Sequence, residues 1–201
     1  MKRGRCVALT GGIACGKSAA AEFWRRLGAD VLDADDVVHG LLAAGGAAVG
    51  AVAAAFGPGV VGADGGIDRV RLGRIVFADE SARRRLEGLL HPEVERRMRA
   101  WADEIRREGR VGVAVVPLLF EAGLEKGWDA TYCVASDEQR TMERLAGRGL
   151  APEEARARIA SQWPVREKAA RADRVIENDG SLAELEKRCR EEWTHLVEQG
   201  D

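Results

Sequence analysis

The sequence predicts an α/β fold in which a parallel, doubly wound sheet of five strands is flanked by helices. Five short apolar segments of strand length recur along the 201 residues, and the segments between them have the 3.6-residue spacing of amphipathic helices. A glycine-rich loop joins the first of these strands to the first helix. Strands that alternate with helices are typical of parallel sheets, because each crossover helix returns the chain to the same edge.

Composition narrows the class of protein. A hydrophobic content of 46% is enough for a sizeable core, and 201 residues suit one α/β domain with insertions. The net charge of −2 argues against a general nucleic-acid or membrane-surface binder. No apolar run is long enough to cross a membrane, so we expect a soluble cytoplasmic protein. Four widely spaced cysteines without a C-x-x-C pattern indicate buried or incidental thiols in a reducing compartment.

The loop between the first strand, Cys6–Thr10, and the first helix, Ala19–Leu27, carries the strongest functional signal. It reads Gly11, Gly12, Ile13, Ala14, Cys15, Gly16, Lys17 and Ser18. This run matches G-x-x-x-x-G-K-[ST], the phosphate-binding P-loop, in the strand–loop–helix context that the motif requires. Glycines let the backbone N–H groups point at a phosphate, and the following helix directs its positive end at the same anion. We expect Lys17 to reach the β- and γ-phosphates of a nucleotide and Ser18 to ligate Mg²⁺.

Carboxylates follow the second predicted strand, Gly28–Leu32. In an extended backbone Asp33 and Asp35 point to one side, and Asp36 is placed to cap a helix over Val37–Leu42. Ligands in such sheets bind at the carboxyl ends of strands. One carboxylate can therefore hold a water of the Mg²⁺ shell while the other accepts a proton from an attacking hydroxyl. The alternative is that the pair serves only capping and turn formation.

A long helical insertion separates the second and third strands. Four helices are predicted, over Ala47–Phe56, Asp68–Val76, Ser81–Leu90 and Pro92–Arg107. In the last of them Val94, Met98, Trp101 and Ile105 form an apolar stripe that indicates core packing. The insertion, residues 41–107, is longer than a crossover needs, and its position suggests that it shapes the pocket of a second substrate.

The third strand, Val111–Val116, is a continuous apolar run and is expected to be buried on both faces. No aspartate follows it to serve as the usual second metal ligand of a P-loop enzyme. Glu121 is the nearest acid, and its role as a functional group, a cap or a structural ion pair stays open. The missing aspartate favours Asp33 as the carboxylate on the metal side.

A lid is predicted after the fourth strand, Asp129–Val134. Ser136 and Gln139 have the spacing of a capping box for the next helix, and a further helix covers Pro152–Gln162. The arginines that project from this segment are Arg140, Arg144 and Arg148. Arginines that close over transferring phosphates stabilise the charge of the transition state and exclude water. The alternative is a solvated basic face in an arginine-rich chain.

The chain ends in a fifth strand, Ala172–Asn178, and a final helix that Ser181 and Glu184 cap. The expected buried stripe of this helix consists of Leu182, Leu185, Cys189, Trp193 and Leu196.

An ordered series of motifs over nearly the whole chain resembles the dephospho-CoA kinase family. The matching stretches are Leu9–Ile13, Asp33–Asp35, Phe56–Gly57, Asp64–Gly65, Ile67–Arg69, His91–Pro92, Pro117–Glu121, Arg144–Leu145, Arg148, Gln162, Ala172–Asp173 and Asn178–Ser181. The P-loop is shared by many families, whereas His91–Pro92 and the Pro-Leu-Leu-Phe-Glu run are much more specific. Cys15 and Trp163 depart mildly from the family pattern, since smaller residues are usual at both positions.

The resemblance implies a nucleotide-kinase-like P-loop NTPase fold and ATP-dependent phosphorylation of the ribose 3′-hydroxyl of dephospho-CoA, the last step of coenzyme A biosynthesis. It divides the chain into a core (about 1–40, 108–138 and 168–201), a CoA-binding insertion (about 41–107) and a lid (about 139–167). The only partner it implies is the small-molecule substrate, without nucleic acid or membrane, in a monomer or weak homo-oligomer.

The resemblance also implies roles for individual residues. Asp35 is expected to accept the hydroxyl proton with Asp33 on the metal side, and the reverse assignment stays open. The lid candidates for phosphate and adenine are Arg144 and Arg148, and Arg140 is expected on the substrate. His91 resembles a substrate-side position, although at the residue before a proline it can also serve only to cap a helix.

Two rival functions remain. A different small-molecule or nucleotide kinase on the same scaffold also suits an Asp-x-Asp after the second strand, although the long insertion argues against it. A non-enzymatic GTP switch is disfavoured because the guanine-reading Asn-Lys-x-Asp is absent.

Overall fold

The computed structural model describes residues 4–198, which form five strands and nine α-helices within that range. The strands are β1 (Arg5–Gly11), β2 (Asp30–Asp33), β3 (Val111–Val115), β4 (Thr131–Ala135) and β5 (Arg174–Glu177). The helices are α1 (Lys17–Arg26), α2 (Ala34–Leu42), α3 (Val49–Phe56), α4 (Arg69–Ala78), α5 (Glu80–Arg107), α6 (Glu138–Ala146), α7 (Pro152–Ala160), α8 (Val165–Arg171) and α9 (Leu182–Glu198). A 3₁₀ turn, Pro58–Val60, precedes α4.

The sheet is parallel throughout, with the strand order β2-β3-β1-β4-β5, so the predicted fold class is confirmed. Leu9 of β1 pairs with Val115 of β3 on one side and with Tyr132 of β4 on the other. Because all strands run in the same direction, their carboxyl ends lie at one edge of the sheet. The loop after β1 is therefore at the centre of that edge.

The chain forms two compact units. Residues 34–100 make up one, and the remaining described residues, which contain all five strands, make up the other. In the sheet unit the face of α1 buries Phe23 and Trp24 against the strands, and the Trp24 ring meets Tyr132 edge to face with centroids 5.1 Å apart. The indole N–H of Trp24 also donates to the Cys189 carbonyl of α9 at 2.8 Å, which joins two helices to one sheet face.

The predicted break at Pro92 does not occur, because α5 continues through the proline. A proline inside a helix costs about 3 kcal/mol, since it removes one backbone donor and its ring crowds the preceding turn. Leu90, Val94 and Met98 lie at intervals of four residues across this point and are all buried. Their burial on one face outweighs the local cost, as burying a side chain of this size contributes about 1.5–3 kcal/mol. His91 accordingly lies within the helix and does not cap one.

Helix boundaries near the sheet also differ from the sequence expectation. Helix α8 was not predicted at all, because its seven residues carry mostly charged side chains and no clear apolar period. Asp137, and not Ser136, caps α6 by accepting from the Arg140 backbone N–H at 2.6 Å. The capping box of α9 is confirmed, since the Ser181 N–H donates to Glu184 Oε2 at 2.6 Å and the Glu184 N–H donates to Ser181 Oγ at 3.3 Å. Leu182 is exposed and does not belong to the buried stripe of α9.

Candidate active site

The loop between β1 and α1 has the backbone conformation of a phosphate cradle. Gly11 and Gly16 have φ angles of 148° and 102°, and Ala14, at 55°, is the only non-glycine residue with positive φ among residues 4–198. A Cβ on Gly11 would lie 2.2 Å from the Val134 carbonyl oxygen, so only glycine fits there. Successive residues of opposite handedness turn their N–H groups toward a common centre, which makes an anion-binding nest. The loop between β1 and α1 therefore has the backbone shape that its P-loop sequence motif predicts.

Lys17 is the first residue of α1, and its side chain folds back over the loop. The ammonium group donates to the Gly11 carbonyl at 3.2 Å and to the Gly12 carbonyl at 2.8 Å. Ser18 follows in the first turn of α1 with an exposed side chain. The loop thus brings a cation and a hydroxyl to the N-terminal end of a helix, where the helix dipole favours a negative ligand.

Three residues, two of them just after β4 and β5 and one in α6, hold the loop in place. The Asn178 side-chain amide donates to the Cys15 carbonyl at 2.8 Å. The Asn178 backbone carbonyl accepts from Ser136 Oγ at 2.5 Å and from Arg144 Nη2 at 2.7 Å. Arg144 Nη1 donates to Ser136 Oγ at 2.8 Å and to the Ala14 carbonyl at 3.3 Å. We call these three residues, Ser136, Arg144 and Asn178, the loop clamp.

The loop clamp explains a second glycine of the motif. A Cβ on Gly16 would lie 2.3 Å from the Asn178 amide nitrogen. Sequence reasoning gave Asn178 and Ser136 no role in binding, although Asn178 stands in one of the motifs quoted for the family resemblance. The family motif therefore marked Asn178 as a residue of interest. It did not reveal the contact with the Cys15 carbonyl, because the two residues are 163 positions apart in sequence.

The three predicted lid arginines have different surroundings. Arg144 lies against the loop, as described for the loop clamp. Arg140 is half exposed, donating through Nε to the Asp179 carbonyl at 3.0 Å and pairing with Glu143 at 3.0 Å. Arg148 is exposed in the turn between α6 and α7. Arg144 is therefore the arginine that the fold brings to the loop.

The two aspartates are not both in extended backbone, which corrects the expectation for this segment. Asp33 ends β2 in register with Val115, while α2 begins directly after it, so Asp35 and Asp36 lie in the first helical turn. Asp36 is therefore not the N-cap. Asp33 is half-buried at the carboxyl edge of the sheet, two strands from β1, which corresponds to about 10 Å at the usual strand spacing. Asp35 is exposed.

Glu121, left open by the sequence, forms a buried ion pair. Its Oε1 lies 2.6 Å from the Nζ of Lys168, and the Lys168 side chain is fully buried. Lys168 also donates to the Pro117 carbonyl at 2.8 Å. Sequence reasoning missed Lys168, because a lysine in a segment of charged residues usually faces solvent.

A cavity of about 530 Å³ lies beside the loop. Its walls include Gly12, Ile13 and Cys15 of the loop, Thr141 of α6, and the segment 162–166, which runs from the linker after α7 into the first turn of α8. The loop, the base of the predicted lid and α8 therefore enclose one space, which is large enough for part of a nucleotide.

All four cysteines are buried and free, as the sequence suggested. Burial raises the pKa of the Cys6, Cys133 and Cys189 thiols to about 12. These three thiols therefore keep their protons near neutral pH. Among residues 4–198, no three His, Cys, Asp or Glu side chains are grouped so as to hold a metal ion by themselves.

His91, the predicted substrate-side histidine, lies half-buried in the middle of α5 in the unit of residues 34–100. That unit is helical and has its own buried residues, including Leu41, Val52 and Leu72. Asp68 caps its helix α4 by accepting from two backbone N–H groups at 3.0 and 3.1 Å.

The amino-acid sequence is similar to a known protein family over most of its length. A family model described as dephospho-CoA kinase matches residues 5–184. A curated protein named dephospho-CoA kinase from Symbiobacterium thermophilum is 46% identical over 191 residues, which cover 94% of this chain and 80% of the relative.

Two solved structures are similar to this chain over nearly its whole length. The crystal structure of TT1252 from Thermus thermophilus is 34% identical with a TM-score of 0.74, and the alignment covers 97% of this chain and 99% of that one. A dephospho-CoA kinase from Campylobacter jejuni is 26% identical with a TM-score of 0.68, covering 95% and 96% of the two chains.

Proposed function

The chain belongs to the dephospho-CoA kinase family, and on that premise we propose that it transfers the γ-phosphoryl group of ATP to the ribose 3′-hydroxyl of dephospho-CoA. The products are coenzyme A and ADP. The observation that carries this proposal is the match over residues 5–184 together with a P-loop whose backbone is shaped for phosphate. The reaction forms a bond from the 3′-oxygen to the γ-phosphorus and breaks the bond from that phosphorus to the β–γ bridging oxygen. ADP leaves with the electron pair.

The phosphates of ATP are assigned to the P-loop, residues 11–18. Its N–H groups bind the β-phosphate, and Lys17 exchanges its contacts with the Gly11 and Gly12 carbonyls for the β- and γ-phosphate oxygens. Arg144, already beside the Ala14 carbonyl, stabilises the charge that develops on the transferring group. Cys15 contributes through its backbone, because its side chain is buried.

The residues of this site include the oxygen donors that Mg²⁺ prefers. Mg²⁺ takes oxygen ligands and is held by one or two protein groups together with substrate phosphates. The exposed Ser18 hydroxyl and the Asp33 carboxylate are oxygen donors of that kind in the same compact unit. When bound, the ion neutralises charge on the β- and γ-phosphates.

Asp35 is proposed to accept the proton of the 3′-hydroxyl, with Asp33 on the metal side. Asp35 is exposed at the start of α2, where a substrate as large as dephospho-CoA can reach it. Asp33 is half-buried at the sheet edge, a position that suits a group acting on an ion beside the P-loop. Paired substitutions decide between this assignment and its reverse.

The helical insertion is proposed to bind dephospho-CoA, with His91 on the substrate side. Arg140 is assigned to the substrate and Arg148 to the adenine of ATP, as parts of a lid over about residues 139–167. The core then comprises about residues 1–40, 108–138 and 168–201, and the CoA-binding insertion about 41–107. Arg140 and Arg148 are both exposed and so accessible to a ligand.

The reaction is proposed to take place in the cytoplasm, in a monomer or weak homo-oligomer that binds no nucleic acid. No helix within residues 4–198 is long and apolar enough to cross a membrane.

The test is release of ADP from ATP–Mg²⁺ with dephospho-CoA, and with adenosine, shikimate and pantothenate as comparison acceptors. We expect turnover with dephospho-CoA only, and CoA identified by mass as the product. Turnover with another acceptor in preference to dephospho-CoA, or preferential hydrolysis of GTP without any acceptor, would contradict the proposal.

A further inference from the structure

The Glu121 side chain is mostly buried, with 16% of it exposed, and the phosphate chemistry described above does not use it. It follows β3, and Oε1 makes the 2.6 Å ion pair with the fully buried Lys168 of α8. A buried pair of this kind gives little net stability, because desolvation of both charges offsets their attraction. Its presence therefore calls for a reason other than stability.

The same oxygen holds the chain between α7 and α8. Glu121 Oε1 accepts from the Trp163 backbone N–H at 3.1 Å. The other oxygen, Oε2, is buried and has no hydrogen-bond partner among residues 4–198. One oxygen, Oε1, thus contacts both Lys168 and the Trp163 backbone. The buried Oε2 is left without a hydrogen bond to residues 4–198.

Two chains of contacts connect Glu121 and its partners to the P-loop. Lys168 donates to the Pro117 carbonyl, which also accepts from the Thr10 hydroxyl at 3.2 Å, and Thr10 immediately precedes the loop. Two residues after Trp163, Val165 packs on the loop, since a Cβ placed on Gly12 would lie 3.4 Å from the Val165 Cβ. The segment 162–166 also forms one wall of the cavity beside the loop.

We propose that Glu121 is a positioning residue for phosphoryl transfer: by holding the Trp163 backbone, it sets the cavity wall formed by residues 162–166 against the P-loop. Lys168 keeps the carboxylate in place, and its own charge is not required at the reacting atoms. The inference rests on the proposed function in that the cavity is taken as part of the space where transfer occurs. A merely structural role would be neutralisation of the buried Lys168 cation.

Two double variants separate these roles. Both Glu121→Gln with Lys168→Met and Glu121→Leu with Lys168→Met remove the buried charges together. The glutamine carbonyl can still accept from the Trp163 N–H, whereas leucine cannot. The two proteins therefore differ in the bond to the segment 162–166 and are matched in charge.

We expect similar melting temperatures for the two doubles but different kinetics. The glutamine double should keep most of the kcat/KM of the unsubstituted protein. The leucine double should lose about 10- to 100-fold in kcat/KM, the size of effect that a displacement near 1 Å can produce. Hydrogen exchange of the Trp163 amide, followed by mass spectrometry, should be slow in the glutamine double and fast in the leucine double.

Equal kcat/KM in the two doubles would overturn the proposal and leave Glu121 as a counter-ion. If the leucine double does not fold, hydrogen exchange of the Trp163 amide in the unsubstituted protein tests the proposal. Exchange at the rate of an unprotected amide would overturn the proposal, and slow exchange would support it. Exchange is measured without any acceptor, so an unsubstituted protein that failed to turn over dephospho-CoA would refute the proposed function and leave this test intact.

Discussion

Asn178→Ala tests whether a contact from β5 shapes the P-loop. The substitution removes one side-chain hydrogen bond, from the Asn178 amide to the Cys15 carbonyl at 2.8 Å. The backbone bonds of Asn178, which it makes to Ala135, Ser136 and Arg144, do not depend on its side chain. The change therefore isolates the bond between the end of β5 and the loop.

The expected magnitude follows from burial. Cys15 and Asn178 are both buried, so the variant leaves a carbonyl without its donor in a place with little access to water. An unsatisfied buried group of this kind costs about 1–3 kcal/mol. For a protein of this size each kcal/mol lowers the melting temperature by about 2–4 °C. Because the Cys15–Gly16 peptide belongs to the phosphate cradle, we expect about a tenfold rise in KM for ATP, which corresponds to about 1.4 kcal/mol.

The assay combines thermal unfolding with initial rates at varied ATP and saturating dephospho-CoA. Asp179→Ala is the matched control, because it lies in the same loop and loses an exposed hydrogen bond, to the Asp137 N–H at 2.7 Å, that does not touch the P-loop. We expect the control to keep the KM for ATP of the unsubstituted protein. An Asn178→Ala protein with lowered stability and unchanged KM would refute the reasoning, since the bond would then support the fold alone.

Three further predictions concern the site and its surroundings. Lys17→Ala should abolish phosphoryl transfer while circular dichroism shows a folded protein; a variant with most of its kcat would remove the P-loop assignment. Asp35→Asn should lower kcat by about 10²–10⁴-fold, as expected for a positioned proton acceptor, and a larger loss in Asp33→Asn would reverse the two roles. The buried Cys133 thiol, with its pKa raised from 9.0 to about 12, keeps its proton when folded and loses it when unfolded above about pH 9. The free energy of unfolding should therefore fall as pH rises from about 9 toward 12. Cys133→Ala should make the melting temperature less dependent on pH in that range, and an unchanged dependence would contradict the shift.

Much of the fold, and the P-loop with it, could be predicted because the signals are local. The P-loop needs eight consecutive residues, and its glycines meet steric demands that only glycine satisfies, as at Gly11. The five strands were recognisable as apolar runs, and their alternation with helices implied a parallel sheet. Helix α8 could not be predicted, because its mostly charged residues show no apolar periodicity. The helix break expected at Pro92 was wrong, because packing of the residues around the proline outweighs its local cost.

Sequence alone determined the phosphate-binding loop, the parallel sheet and the family resemblance, because each is encoded in short patterns or in their order along the chain. The side chains that hold this loop in place could be identified only in the folded chain. Asn178 and Cys15 are 163 positions apart, Arg144 and Ala14 are 130, and the Pro117 carbonyl meets Lys168 across 51. No periodicity or spacing predicts such pairs, because they form only when the carboxyl ends of separate strands come together at one edge of the folded sheet.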